Sequence, residues 1–256
     1  DSSRPANCFA NRRGRQIPIS IKREKVTMLY YFLFPLADDL GLLNLFRYLT
    51  FRTGGAIITA LMISFILGAP LIKWLKSQQG EGQPIREDGP ESHPLTKKGT
   101  PTMGGLLILI AVTSATLLWA DISNRYVWAV LIVTLGFGSI GFLDDYLKLT
   151  KRSPNGMSGK IKIIAEITIA GAVAWWISEI SPDPLSNGLA IPFFKDLLID
   201  LGWFFIPFAT IVIIGASNAV NLTDGLDGLA IVPAMIVAGC LALITYIVGN
   251  QVFSSY

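Results

Sequence analysis

Six apolar blocks constrain this chain more than any other feature. They run Ala56–Leu75, Met103–Ala120, Tyr126–Leu143, Ile161–Ile180, Trp203–Val220 and Leu229–Val248. Each is about 18 to 20 residues, the length a helix needs to cross the hydrocarbon core of a bilayer. Lipid offers backbone N–H and C=O groups no partners, so such blocks must close their hydrogen bonds internally, as helices. Charge content agrees. Only 15% of residues are charged, where a soluble domain carries about a quarter. The predicted fold class is all-α, a polytopic membrane helical bundle. The fourth block is the least uniform: Lys162 and Glu166 stand four apart on one face, placed either to pair or to line an internal cavity.

The loops set the orientation. Lys73, Lys76, Arg86, Lys97 and Lys98 flank the first connection, and Lys148, Lys151, Arg152, Lys160 and Lys162 flank the third. The second has only Arg125 and the fourth only Lys195. Positive charge stays in the cytoplasm, so the first and third connections are expected there, and the fifth joins them by alternation. The N-terminus then falls outside, which conflicts with a tail holding Arg4, Arg12, Arg13, Arg15, Lys22, Arg23 and Lys25. Two readings stand: the tail is native and contradicts this orientation, or Met28 is the true start. The second is the expectation, with residues 1–27 a non-native or disordered basic tail and 28–256 a membrane domain. From Met28, Leu42, Leu45, Phe46 and Leu49 share a helical face, which suits a helix lying in the outer interface. Cys8 and Cys240 suggest neither a disulfide framework nor a metal site. The "NLT" at Asn221 matches a glycosylation acceptor but falls on the cytoplasmic side, and His93, the lone histidine, lies in a polar loop.

Three polar groups interrupt this apolar plan. In "GFLDDYLK", Asp144 and Asp145 end the third block and Lys148 follows one turn later. An ordinary Asp–Lys pair at a helix end is one reading. Two adjacent carboxylates repel, however, and a single surface lysine compensates weakly. Mg²⁺ compensates better and keeps positions open for phosphate oxygens. In "KKGTPTMGG", Lys97 to Gly105, glycines and a helix start suit an anion, while a plain lysine-bearing turn explains the stretch equally well. In "GASNAVNLTDGLDGLA", Asn218, Asn221, Asp224 and Asp227 recur every three residues. Such spacing drifts around a helix of 3.6 residues per turn, so one unbroken helix cannot aim all four at a single ligand. Gly225 and Gly228 are placed to break it, and irregular backbone lining a cavity is expected. A polar helix–helix contact accounts for one Asn, but poorly for four polar groups. Amides and carboxylates beside free N–H groups suit a base and a ribose.

The stretches "ESHPLTKKGTPTMGG", "GFLDDYLK", "PFFKD" (Pro192–Asp196) and "NAVNLTDGLDGLA" closely resemble the phospho-N-acetylmuramoyl-pentapeptide transferase family, within the polyprenyl-phosphate sugar-phosphate transferases. The likeness runs from about Met28 to Tyr256. It implies a transferase in the bacterial cytoplasmic membrane with its active site facing the cytoplasm. Such an enzyme moves phospho-MurNAc-pentapeptide from UDP-MurNAc-pentapeptide to undecaprenyl phosphate, giving lipid I and UMP for peptidoglycan synthesis. The implied cofactor is Mg²⁺, on Asp144 and Asp145. Lys148 joins them as a catalytic residue, and Lys97 and Lys160 line the polar cleft. Positions Thr102, Asn221, Asp224, Gly225, Leu226 and Asp227 match the nucleoside pocket. The implied partners are the two substrates and the bilayer; a homodimer is allowed and nucleic acid is not expected.

The chain departs from the family in one respect. The resemblance implies roughly ten spans, a third aspartate in a GD-x-GS stretch that completes the metal site, and a histidine cluster. About six spans and neither motif are present. The expectation is a fragment holding the N-terminal two-thirds of the fold and inactive alone. Two alternatives remain: a sister enzyme that transfers N-acetylglucosamine 1-phosphate to a polyprenyl phosphate, and, from another class, a proton-coupled transporter using intramembrane carboxylates and broken helices.

Overall fold

The computed structural model describes residues 29, 45–46, 48–79, 101–152, 156–183, 185–191, 197–223 and 229–249. Six α-helices dominate: α1 (Leu49–Gln79), α2 (Gly105–Trp119), α3 (Arg125–Lys151), α4 (Gly159–Ile180), α5 (Phe205–Thr223) and α6 (Ile231–Gly249). The predicted all-α membrane bundle is therefore found. Five segments, four of these helices and Gly202–Thr223, are long and apolar enough to cross a membrane. The second predicted span is different: α2 has only 15 residues, about 22 Å of helix against a core of about 30 Å.

Helix boundaries follow local chemistry. α1 begins seven residues before the predicted span, at Leu49. Leu49 therefore heads a helix long and apolar enough to cross a membrane, while Leu42 lies outside the described residues. Pro70 sits inside α1 and withdraws one N–H from the helical ladder. α3 runs on past Leu143 to Lys151, so the aspartate pair lies within a helix, not at its end. Arg152, with φ 46°, takes the left-handed conformation common just past a helix C-terminus.

The described residues form two compact units. Those up to Ile63, with Ala111–Asn124, make one; those in Ser64–Ile110 and Arg125–Tyr256 make the other. In the first, the indole of Trp119 stacks on Phe46 with ring centroids 5.6 Å apart and donates to Thr59 Oγ1 at 2.9 Å. A Cβ on Gly55 would land in the same indole, so only glycine lets the ring lie flat there. In the second, α4 packs against both α3 and α5 through Ala170, Val173 and Ala174. At the end of α4 away from the aspartates, Gly188–Ala190 (β1) and Leu198–Asp200 (β2) pair antiparallel, with Leu189 opposite Ile199. The turn Gly202–Phe204 then leads into α5, with Gly202 at φ 51°.

Candidate functional site

The polar corner is built where the C-terminus of α1, the stretch before α2, the last turns of α3 and the stretch before α4 converge. Because α3 stays helical to Lys151, residues 144 and 148 share a face one turn apart. Lys148 Nζ lies 2.6 Å from Asp144 Oδ2 and 3.3 Å from Asp145 Oδ1. One ammonium thus sits between two carboxylates.

The outer oxygens are also held. Asp145 Oδ2 accepts from Thr102 Oγ1 at 3.0 Å. Asp144 Oδ1 accepts from the Met157 N–H at 2.6 Å. The approach of that N–H depends on its neighbour, because a Cβ on Gly156 would collide with the Asp144 carboxylate. Each of the four carboxylate oxygens has a donor, Lys148 serving one on each aspartate, which offsets the cost of holding two like charges together.

Thr102 is fixed in turn. Its N–H donates to Gln79 Oε1 at 2.8 Å, and its C=O accepts from Gln79 Nε2 at 3.1 Å. The last side chain of α1 thus holds the backbone just before α2 by both of its polar groups. The next residue, Met103, stands at φ 69°, a left-handed conformation that costs a non-glycine residue about 1–2 kcal/mol. It persists where neighbours over-determine it, and the two bonds to Gln79 do so here.

A hard divalent cation suits this donor set. Two carboxylates already converge on one positive group, and a hydroxyl stands beside them. Oxygen ligands of this kind are those Mg²⁺ takes. Among the described residues no cluster of three or more Asp, Glu, His or Cys side chains gathers to hold a metal. At this corner the described acidic side chains are the two of Asp144 and Asp145.

The remaining expected residues divide. Asp144, Asp145, Lys148 and Thr102 come together as described. Lys160 is exposed in the first turn of α4. Lys97 and Asp224, Gly225, Leu226 and Asp227 lie outside the described residues, as do the Pro192–Asp196 stretch and His93. The irregular backbone expected across Asn221–Gly228 does not begin at Asn221: α5 stays helical through Thr223, with Asn221 exposed on its last turn. Lys162 and Glu166, left open between pairing and cavity lining, pair at 4.0 Å.

Three contacts could not be read from local spacing. Gln79 is an ordinary residue at a helix end, the Met157 N–H is backbone, and the bond from Asn218 Nδ2 to Glu166 Oε2 at 2.7 Å joins residues 52 apart. Only the glycine of "SPNGMSGK" hinted at close backbone approach near the second.

Known proteins place this corner in context. The profile of glycosyl transferase family 4 matches residues 127–256. Signature 1 of phospho-N-acetylmuramoyl-pentapeptide-transferase matches residues 97–109, the stretch that contains Thr102 and Met103. A phospho-N-acetylmuramoyl-pentapeptide-transferase of Granulibacter bethesdensis is 62% identical over 229 residues, 90% of this chain and 63% of the relative. One of Maricaulis maris is 53% identical over 234 residues, covering 90% of this chain and 64% of the relative. The chain thus spans under two-thirds of the length of these relatives. The family profile covers the aspartate pair, Lys148 and every described helix from α4 onward, and on that match the chain belongs to glycosyl transferase family 4.

Proposed function

We propose that the protein transfers phospho-MurNAc-pentapeptide from UDP-MurNAc-pentapeptide to undecaprenyl phosphate, producing lipid I and UMP. One observation carries the reading: Thr102, inside the transferase signature, donates a hydrogen bond to Asp145 of the aspartate pair. The signature stretch and the paired carboxylates, 43 residues apart in sequence, therefore form one site.

In the reaction, an oxygen of the lipid phosphate attacks the phosphorus that carries the sugar. A new P–O bond forms, the bond to the UMP phosphate breaks, and UMP leaves with the electron pair. Asp144 and Asp145 are the proposed holders of Mg²⁺, which would neutralise phosphate charge during transfer. Lys148 keeps the two carboxylates together, and Thr102 and the Met157 N–H fix their outer oxygens. Their engagement by donors makes the aspartates poor nucleophiles and favours direct attack by the lipid phosphate over a covalent aspartyl intermediate. Lys97 and Lys160 are proposed to attract the anionic substrates. Asn221, Asp224, Gly225, Leu226 and Asp227 are proposed to hold the nucleoside.

The region 28–256 is proposed to be membrane transferase, with 1–27 standing apart from it. The basic flanks of the first and third connections support a site facing the cytoplasm of a bacterial inner membrane. The test is UMP release by the complete gene product in detergent, with Mg²⁺ and undecaprenyl phosphate, from each of two donors. Release from UDP-MurNAc-pentapeptide and not from UDP-N-acetylglucosamine is expected. The reverse preference would assign the sister reaction, and release from neither would refute a transferase.

A further inference from the structure

Glu166 lies two turns into α4 with only 2% of its surface exposed. The other buried residues of that helix are Ala170, Val173 and Ala174. A carboxylate among small apolar groups is costly unless each oxygen is held. Here Oε2 accepts from Asn218 Nδ2 at 2.7 Å, and Oε1 lies 4.0 Å from Lys162 Nζ. Asn218 Nδ2 also donates to the Ile214 carbonyl at 3.0 Å. Both amide hydrogens are then used. A carboxylate only accepts, so Glu166 decides which end of the amide faces α4.

The two groups on Glu166 lead in different directions. Lys162 stands one turn before Glu166 on α4. Asn218, on α5, stands almost one turn before Asn221 and just ahead of the stretch that runs on to Asp227. The site as described does not use Glu166, yet Glu166 ties the helix that carries Asn221 to α4.

We propose that Glu166 is a positioning residue for the nucleotide donor. Its hydrogen bond to Asn218 sets the rotation and height of α5 against α4, and so places Asn221, on the last turn of α5, for the donor. This rests on the transferase reading above. A carboxylate that merely fastened two helices would change the yield of folded protein and leave substrate affinities alone. A carboxylate that sets the register of α5 changes affinity for the donor and not for the lipid.

The test uses the complete gene product, with KM measured separately for undecaprenyl phosphate and for whichever UDP-sugar the wild type cleaves. Glu166→Leu should raise the donor KM about tenfold, the worth of one hydrogen bond to a charged group, with the lipid KM within about twofold. Glu166→Gln still accepts from Asn218 and should stay within about threefold of wild type. Glu166→Asp is shorter by one methylene and should raise the donor KM while keeping the charge, which covers the case in which the leucine variant does not fold. Glu166→Leu combined with Asn218→Leu should be no worse than Asn218→Leu alone, because residues acting as one unit are not additive. A donor KM unchanged in both Glu166→Leu and Glu166→Asp would overturn the proposal. So would equal rises for donor and lipid, or a glutamine variant as impaired as the leucine one. A wild type that prefers UDP-N-acetylglucosamine would overturn the substrate reading and leave the Glu166 comparison intact.

Discussion

Helices α4 and α6 are both apolar and similar in length, 22 and 19 residues, yet they occupy opposite environments. α4 is held on two sides and buries Glu166, Ala170, Val173 and Ala174. α6 buries no residue and stays exposed from Ile231 to Gly249. Small residues do not account for the difference, since α6 also carries Ala234, Ala238 and Ala242 at four-residue spacing. Charged groups separate them. α4 brings Lys162 and Glu166 into the bundle and α5 answers with Asn218, whereas α6 offers no charged group at all. In lipid, apolar surface finds equally good company on every side, so packing and polar groups decide which helix faces meet.

The strongest break would come at the polar corner that α4 helps to frame. In the complete gene product, Asp145→Asn should cut UMP release about a thousandfold, the loss of several kcal/mol of charge stabilisation. Its elution profile in detergent should not change. Near-normal turnover with Mg²⁺ would remove Asp145 from the metal site. Thr102→Val deletes only the bond to Asp145 and should slow release about tenfold or somewhat more; unchanged release would show that the signature stretch does not act through that carboxylate.

The packing contrast itself is sharpened by one matched pair. Ala170→Leu forces three more carbon atoms into a fully buried position and should cost about 2 kcal/mol in thermal unfolding. Ala238→Leu on α6 should fall within about 0.5 kcal/mol of the parent. Equal losses in this 256-residue chain would mean that something covers α6. The smallest effect belongs to the other compact unit. Trp119→Phe keeps the stacked ring and loses the bond to Thr59, worth about 0.6 kcal/mol inside a membrane protein, and a loss above about 2 kcal/mol would assign the indole N–H a larger role.

What the sequence made legible was whatever is periodic or adjacent. Long apolar runs announced the helices, and Asp144, Asp145 and Lys148 announced a charged corner within five residues of one another. The helix ends were less legible. α3 continues through Asp144 and Asp145 because its last turns, "YLKLTK", are good helix formers carrying lysines that complement the C-terminal dipole. The partners that finish the site come from far along the chain: Gln79 for Thr102, the Met157 N–H for Asp144, Asn218 for Glu166. Such pairs obey no local spacing. They follow from which helix ends meet in space, and a single sequence does not encode that in any pattern of three or four residues.

The paired bonds between Gln79 and Thr102 work as a clasp. They bring together two points 23 positions apart, so they help to meet the cost of closing the loop between them. That cost grows only with the logarithm of length. The clasp thus sets the backbone beside Asp145 through a single glutamine, the last residue of α1. Gln79→Ala would undo that hold, leaving the backbone beside Asp145 to be set by whatever joins the two points.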